Sequence, residues 1–330
     1  MDFGLSIVTQ FEPSRDLQSV SDELLTQVEI AADSDIDLIH VGEHHATNDQ
    51  YLLNETVLAY LATRVGATDI GPGVCLLPYH NPVRIAEFGA TLDVLTGGQF
   101  RLGVAQGYRD VEFDVFGVTR ENAVGRLVEG IEIIKRLWTE DTVSFDGEHF
   151  QLDEVSINPK PVQDPRPPIL MGASNESSIR RAARIADGWW GAHAPIDVLS
   201  AQVDHYLDER ERVGLDDGRI RINREVFVAE SEAEALDAVR EPLLRKYGSY
   251  SEWGQDDVFD KDTFHEEWAE LSSDRFIVGT PSDVATEIER YRDTLGLDGL
   301  GARMRFKGMK FDDVLSSLQL YCNDVLPAVS

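Results

Sequence analysis

"TPSDVATEIERYRDTLGLDGLGARMRF", residues 280–306, carries one whole helix into a strand-like run. Thr280 offers an N-cap oxygen, Pro281 takes the first helical position where a missing N–H costs nothing, and Asp283 stands at the third position. Gly296 closes the helix, and the run 298–306 that follows reads as a strand.

The same alternation extends along the 330-residue chain, with strand-like runs at 3–8, 37–42, 70–76, 100–105, 168–172, 188–192, 221–229 and 298–306. Amphipathic helical stretches lie between them. Eight βα units in series predict parallel strands, because a crossover helix joins parallel neighbours, and eight strands close a barrel. The expectation is an α/β protein, one (β/α)8 TIM barrel domain over residues 1–330. A doubly wound open sheet is the alternative, but the GxGxxG turn that it needs after the first strand is missing. Two segments exceed the barrel pattern. In 140–167, "TVSFDGEHFQL" predicts a β-hairpin about its Asp-Gly turn, followed by a Pro-rich connector, and the polar, aromatic and acidic stretch 246–276 predicts a lid.

Asp and Glu number 60 against 30 Lys and Arg, a net charge of −30, so nucleic acid and anionic membranes are excluded as partners by repulsion. Only six of the basic residues are lysine, which suits a salt-filled, halophilic cytoplasm and predicts stability that rises with molar KCl. Cys75 and Cys322 form no CxxC pair, so neither a disulfide framework nor a zinc knuckle is implied. The opening "MDFGLSIVTQ" has no basic signal region and no apolar run reaches about 18 residues, so a cytoplasmic location is expected.

In "IHVGEHHATND", 39–49, a buried strand runs into a carboxylate and two histidines. Side chains alternate along a strand, which groups Leu38, His40, Gly42 and His44 on one face and Ile39, Val41, Glu43 and His45 on the other. The purely apolar Ile39/Val41 face suits a layer of helices, so His44 is assigned to the barrel mouth and Glu43 and His45 to the outside. No metal site is expected, since neighbouring imidazoles diverge on a strand and the HExxH spacing is absent.

From there the chain resembles the bacterial luciferase-like monooxygenase family. The stretch 70–118, "IGPGVCLLPYHNPVRIAEFGATLDVLTGGQFRLGVAQGYRDVEFDVFGV", is similar to that family's third strand, third helix and fourth strand, and similarity returns at 167–190, 276–300 and 318–329. The resemblance implies a barrel that binds a flavin at the carboxyl ends of its strands, reacting reduced FMN with O2 to oxidise a small organic substrate such as an aldehyde or ketone. His44 then matches the catalytic histidine, as general acid/base. Gly73 and Val74 match a pair whose peptide is often strained beneath the flavin ring, and Ser174 and Ser177 match phosphate-contacting positions at a helix start. Gln106 stands where the luciferase branch has a phosphate-clamping arginine, and Ala105 where it has a cysteine. Arg109 is the expected compensating cation, and Tyr108 and Trp189 the expected lining of the ring and substrate pocket. The resemblance further implies a flavin reductase as supplier of reduced flavin and a homodimer through the early helices, with His45 and Glu87 at its interface. An F420-dependent oxidoreductase performing hydride transfer and a non-enzymatic flavin-binding protein are the alternatives.

Overall fold

The computed structural model describes residues 1–192, 194–253 and 267–330. Eight parallel strands form its barrel: β1 (Asp2–Ile7), β2 (Leu38–Val41), β3 (Asp69–Pro72), β4 (Leu102–Val104), β5 (Ile169–Gly172), β6 (Gly188–Ala192), β7 (Arg219–Val228) and β8 (Gly299–Arg303). Their order around the sheet is their order in the chain, and β1 pairs with both β2 and β8. The last seam, between β3 and β4, is bridged by Ile70 with Phe100 and Cys75 with Val104. Each strand overlaps a run legible in the sequence.

A ninth strand, Phe276–Gly279, was not among those runs. It pairs with the outer half of β7, while the inner half pairs with β8. Residues 246–276, expected as a lid, are therefore regular at both ends: 246–252 close the long helix Glu232–Glu252, a short helix spans Trp268–Ser272, and the new strand follows. The central residues of that expected lid, 254–266, lie outside the described residues. The expected hairpin is present as Val143–Asp146 against Gln151–Val155.

Helix Pro281–Leu295 shows why the opening stretch was decisive. The Thr280 and Asp283 side chains each accept from the other's backbone N–H, and Gly296 adopts φ 60° at the helix end. Such a cap is worth about 1 kcal/mol. Ile39 and Val41 are wholly buried, as are Leu58 and Leu61 on the helix Asn54–Leu61 that packs against β2 and β3, and each such side chain contributes roughly 1.5–3 kcal/mol.

The opposite parity fills the lumen. His40 is fully buried, edge-on to Trp190 with ring centroids 5.0 Å apart. Burial, with Arg221 and Arg303 nearby, holds its imidazole well below its ordinary pKa, so His40 is neutral. A β-carbon on Gly73 would press into the His40 ring, which is why the backbone there is bare. No described helix is long and apolar enough to cross a membrane.

Candidate active site

At the carboxyl ends of the strands the barrel opens into a cavity of about 390 Å³. Gly42 leads out of β2, and the next side chains part as strand parity requires. His44 turns into the cavity among the ring edges of Tyr51, Tyr108 and Trp253, at centroid distances of 5.7, 5.7 and 5.3 Å. Its Nδ1 lies 3.1 Å from Oε1 of Glu112, a wholly buried carboxylate on the helix Asp110–Phe116. The same oxygen accepts from the His45 backbone N–H at 2.8 Å and from Arg109 Nη1 at 3.0 Å. Burial pushes the Glu112 carboxyl up, but the His44 bond, the His45 amide and the Arg109 charge outweigh it and hold it below the usual range. A carboxylate on Nδ1 fixes the tautomer, leaving Nε2 as the acceptor facing the cavity. Nε2 has no protein partner among the described residues.

Glu43 turns the other way. Its Oε1 accepts from His45 Nε2 at 2.6 Å and from His80 Nε2 at 2.7 Å, and its Oε2 from the Leu76 N–H at 2.6 Å. Burial raises the carboxyl, yet these donors hold it down at about 2. His80 is pulled down by burial but raised more by Glu43, so it keeps its proton above its ordinary 6.5. Cys75 completes a compact group with this pair. The clamp ties the loop after β2 to the loop after β3 and so fixes the backbone from which His44 projects.

Its two halves have opposite pH signs. The depressed Glu43 contributes stability that is full above 4.5 and lost as the pH falls towards about 2. The raised His80 contributes stability that is full below 6.5 and lost as the pH rises through its elevated value. His80→Ala is therefore expected to cost about 2 kcal/mol near pH 5.5, with the gap to the unsubstituted protein closing at alkaline pH. Urea unfolding of both proteins across that range reads the difference, and a gap independent of pH would remove the ion pair from the account.

The cavity wall inverts the charge of the chain. Among the described residues lining it are six cations, Arg120, Arg245, Lys246, Arg303, Arg305 and Lys307, and one carboxylate, Glu43, although acidic residues outnumber basic ones 60 to 30 overall. Five lining residues carry buried polar atoms without a partner: the Tyr108 hydroxyl, Trp190 Nε1, Asn223 Oδ1, Arg303 Nε and Arg305 Nη1. Such groups are costly to leave unmet in a finished core. The donors among them suit an anionic ligand, and the Asn223 oxygen suits a ligand N–H or O–H.

Residues 1–298 match the model of the luciferase-like monooxygenases. The chain belongs to that family. It is accordingly an oxidoreductase. It is 26% identical to the oxygenase component of a flavin-dependent trigonelline monooxygenase from Acinetobacter baylyi, over 94% of this chain and 90% of that protein. It is 25% identical to the alkanal monooxygenase alpha chain of Photorhabdus luminescens, over 99% and 97%. Among solved structures, the monooxygenase RslO1 from Streptomyces bottropensis superposes with a TM-score of 0.87 at 22% identity, over the whole of both chains. An F420-dependent secondary alcohol dehydrogenase superposes at 0.80 and 17%, covering 100% of this chain and 99% of that one. These superpositions establish the luciferase-like barrel.

Within this family barrel the residues singled out from the sequence separate. His44, Gly73, Val74, Gln106, Tyr108 and Ser174 all line the cavity, and the bond joining Gly73 to Val74 is cis. Trp189 does not line it. It is wholly buried on the outer face of β6, its Nε1–H donating to the Ala173 carbonyl at 2.9 Å and its ring stacked on Tyr206. Alternation puts the next residue, Trp190, in the lumen instead. Ser177 is also turned away, because the helix Glu176–Ile185 is capped by Asn175 and the Ser177 hydroxyl donates to Asn175 Oδ1 at 2.9 Å. Asn175 and Ser178 line the cavity in its place. Arg109 is no compensating cation: it is buried against Glu112, the His45 carbonyl and the face of Trp253. Arg120 reaches the cavity from the next helix. Glu112 carries no local signal in the chain, because its role depends on a contact with His44, 68 residues away.

Proposed function

We propose that the cavity binds reduced FMN and that the enzyme uses it with O2 to oxidise a small organic substrate of the aldehyde or ketone type. The observation that carries this reading is the His44–Glu112 pair at the cavity wall, an imidazole oriented by a buried carboxylate with Nε2 free for proton transfer. The wall suits the cofactor. Gly73 lines the cavity, the unmatched polar atoms of Tyr108 and Trp190 are available to a flat ring, and Ser174, Asn175, Ser178 and Arg120 offer hydroxyl, amide and guanidinium donors to a phosphate. Bound reduced FMN would supply the electrons that activate O2. His44 would then hold or release a proton beside the reacting carbon, while Tyr51, Tyr108 and Trp253 keep water from it.

One observation favours a second reading. Gln106 brings no charge to the end of β4, where a clamped phosphate would profit from one, so hydride transfer with F420 remains the rival chemistry. Labelling separates them: under 18O2, with a flavin reductase supplying reduced FMN, one 18O atom is expected in the product from an aldehyde and ketone panel. Turnover of alcohols with F420 and no label would favour the rival.

A homodimer belongs to the same reading. Tyr60, Leu95, Val115 and Phe116 are exposed on the helices that follow β2, β3 and β4, Glu87 is exposed on the second of these, and such apolar surface is commonly covered by a partner. Light scattering in molar KCl is expected to give twice the chain mass; a monomer at micromolar concentration would contradict it.

A further inference from the structure

The cations of the cavity are not spread evenly. Arg120 reaches the Tyr108 carbonyl after β4, and Ser174, Asn175 and Ser178 follow β5, whereas Arg303 ends β8 and Arg305 and Lys307 follow it, with Arg245 and Lys246 reaching over from the helix Glu232–Glu252. β8 is three strands around the barrel from β5, so the two groups face each other across the mouth. One phosphate cannot use both.

On the β8 side most charges are already matched. Lys246 pairs with Glu225, Lys307 with Asp49 at 2.6 Å, and Arg305 shares Glu23 with Arg15. Arg303 differs. Its Nη1 donates to the Tyr250 hydroxyl at 2.9 Å, its Nε has no partner, and no carboxylate pairs with it among the described residues. Arg305 is only 6% exposed, and its Nη1 is likewise without an acceptor while Nη2 donates to Glu23 at 2.8 Å. Arg303 is the last residue of β8, Arg305 follows two residues later, and both line the cavity. Arg303 is half-buried and Arg305 buried, and each keeps one donor unmet on the cavity wall, room for a further anion in a chain of charge −30.

We propose that Arg303 and Arg305 form an anion subsite for the substrate, which therefore carries a carboxylate or similar oxyanion at the end remote from the carbon that is oxidised. This rests on the reading above, in which the cofactor phosphate occupies the β5 side. β8 and β2 flank β1, so Arg303 and His44 leave the barrel two strand spacings apart, roughly 10 Å. A compact molecule spans that distance, with its anion on the guanidinium groups and its oxidisable carbon beneath His44. The Arg pair would select by charge, as a planar two-donor fork recognises a carboxylate.

The test uses the full chain with oxidised FMN bound, titrated with benzoate and 4-phenylbutyrate and with the corresponding uncharged amides, followed by flavin absorbance and by the fluorescence of the cavity residues Trp190 and Trp253. The carboxylates are expected to bind at least tenfold more tightly than their amides. Arg303→Met should abolish that preference and leave the affinity for FMN within about threefold, and Arg303→Lys should restore part of it. Carboxylates that bind no better than amides to the unsubstituted protein would overturn the proposal without any variant. So would a tenfold loss of FMN affinity in Arg303→Met, because the anion would then be the cofactor's own phosphate. If FMN does not bind at all, the flavin reading fails by itself, and tryptophan fluorescence still shows whether the Arg pair prefers carboxylates.

Discussion

His44→Ala is expected to lower turnover by about 10²–10⁴-fold while FMN binding changes little. The argument is local. The imidazole has one nitrogen committed to Glu112 and the other free on the cavity side, and removing it takes away the one imidazole that lines the cavity among the described residues. Glu112→Gln is the companion change. It keeps the shape and an amide oxygen but removes the negative charge that holds the imidazole, so the fall in kcat should be smaller and accompanied by a displaced pH profile, which a merely structural contact would not produce. Rapid-mixing kinetics with reduced FMN read both. Unchanged turnover in His44→Ala with FMN retained would end the acid/base assignment.

The largest expected loss of stability lies at the closing seam of the barrel. A β-carbon on Gly71 would fall on the backbone carbonyl of Arg101. The strands cannot part to admit it, because Ile70 donates to Gln99 at 2.8 Å and receives from Arg101 at 3.1 Å, while β3 and β4 are each held by their other neighbour. Gly71→Ala should cost about 3 kcal/mol, against which the stiffer unfolded chain returns only about 0.4–1 kcal/mol. Urea unfolding measures the difference, and a loss below about 1 kcal/mol would mean that the seam is looser than its hydrogen bonds indicate.

How much of this was legible beforehand follows from the range of the interactions involved. Strands and capped helices are set by neighbours within a few residues, so the eight barrel strands and the Thr280–Gly296 helix could be read directly. Phe276–Gly279 escaped because four residues after a polar stretch carry too little pattern, and its pairing partner on β7 lies some 50 residues earlier. Alternation placed His44 correctly, since one face beside it was purely apolar. In "GWWGA" both neighbours are tryptophan and composition cannot rank the faces, so the expectation of Trp189 in the cavity gives way to Trp190. Glu112 and the Glu43–His80 clamp are products of tertiary contact: their partners come from other strands and helices, and no spacing in the chain announces them. Resemblance supplied what pattern could not at Gly73–Val74, and it misled at Ser177, where the observed N-cap is Asn175.

The central claim is that this cavity is built for reduced FMN, and anaerobic titration of the purified protein in molar KCl with reduced FMN and, separately, reduced F420 tests it most directly. Micromolar or tighter binding of reduced FMN, followed by O2 uptake on aeration, is the expected result. Tight binding of F420, with reduced FMN left free and no oxygen consumed, would contradict it.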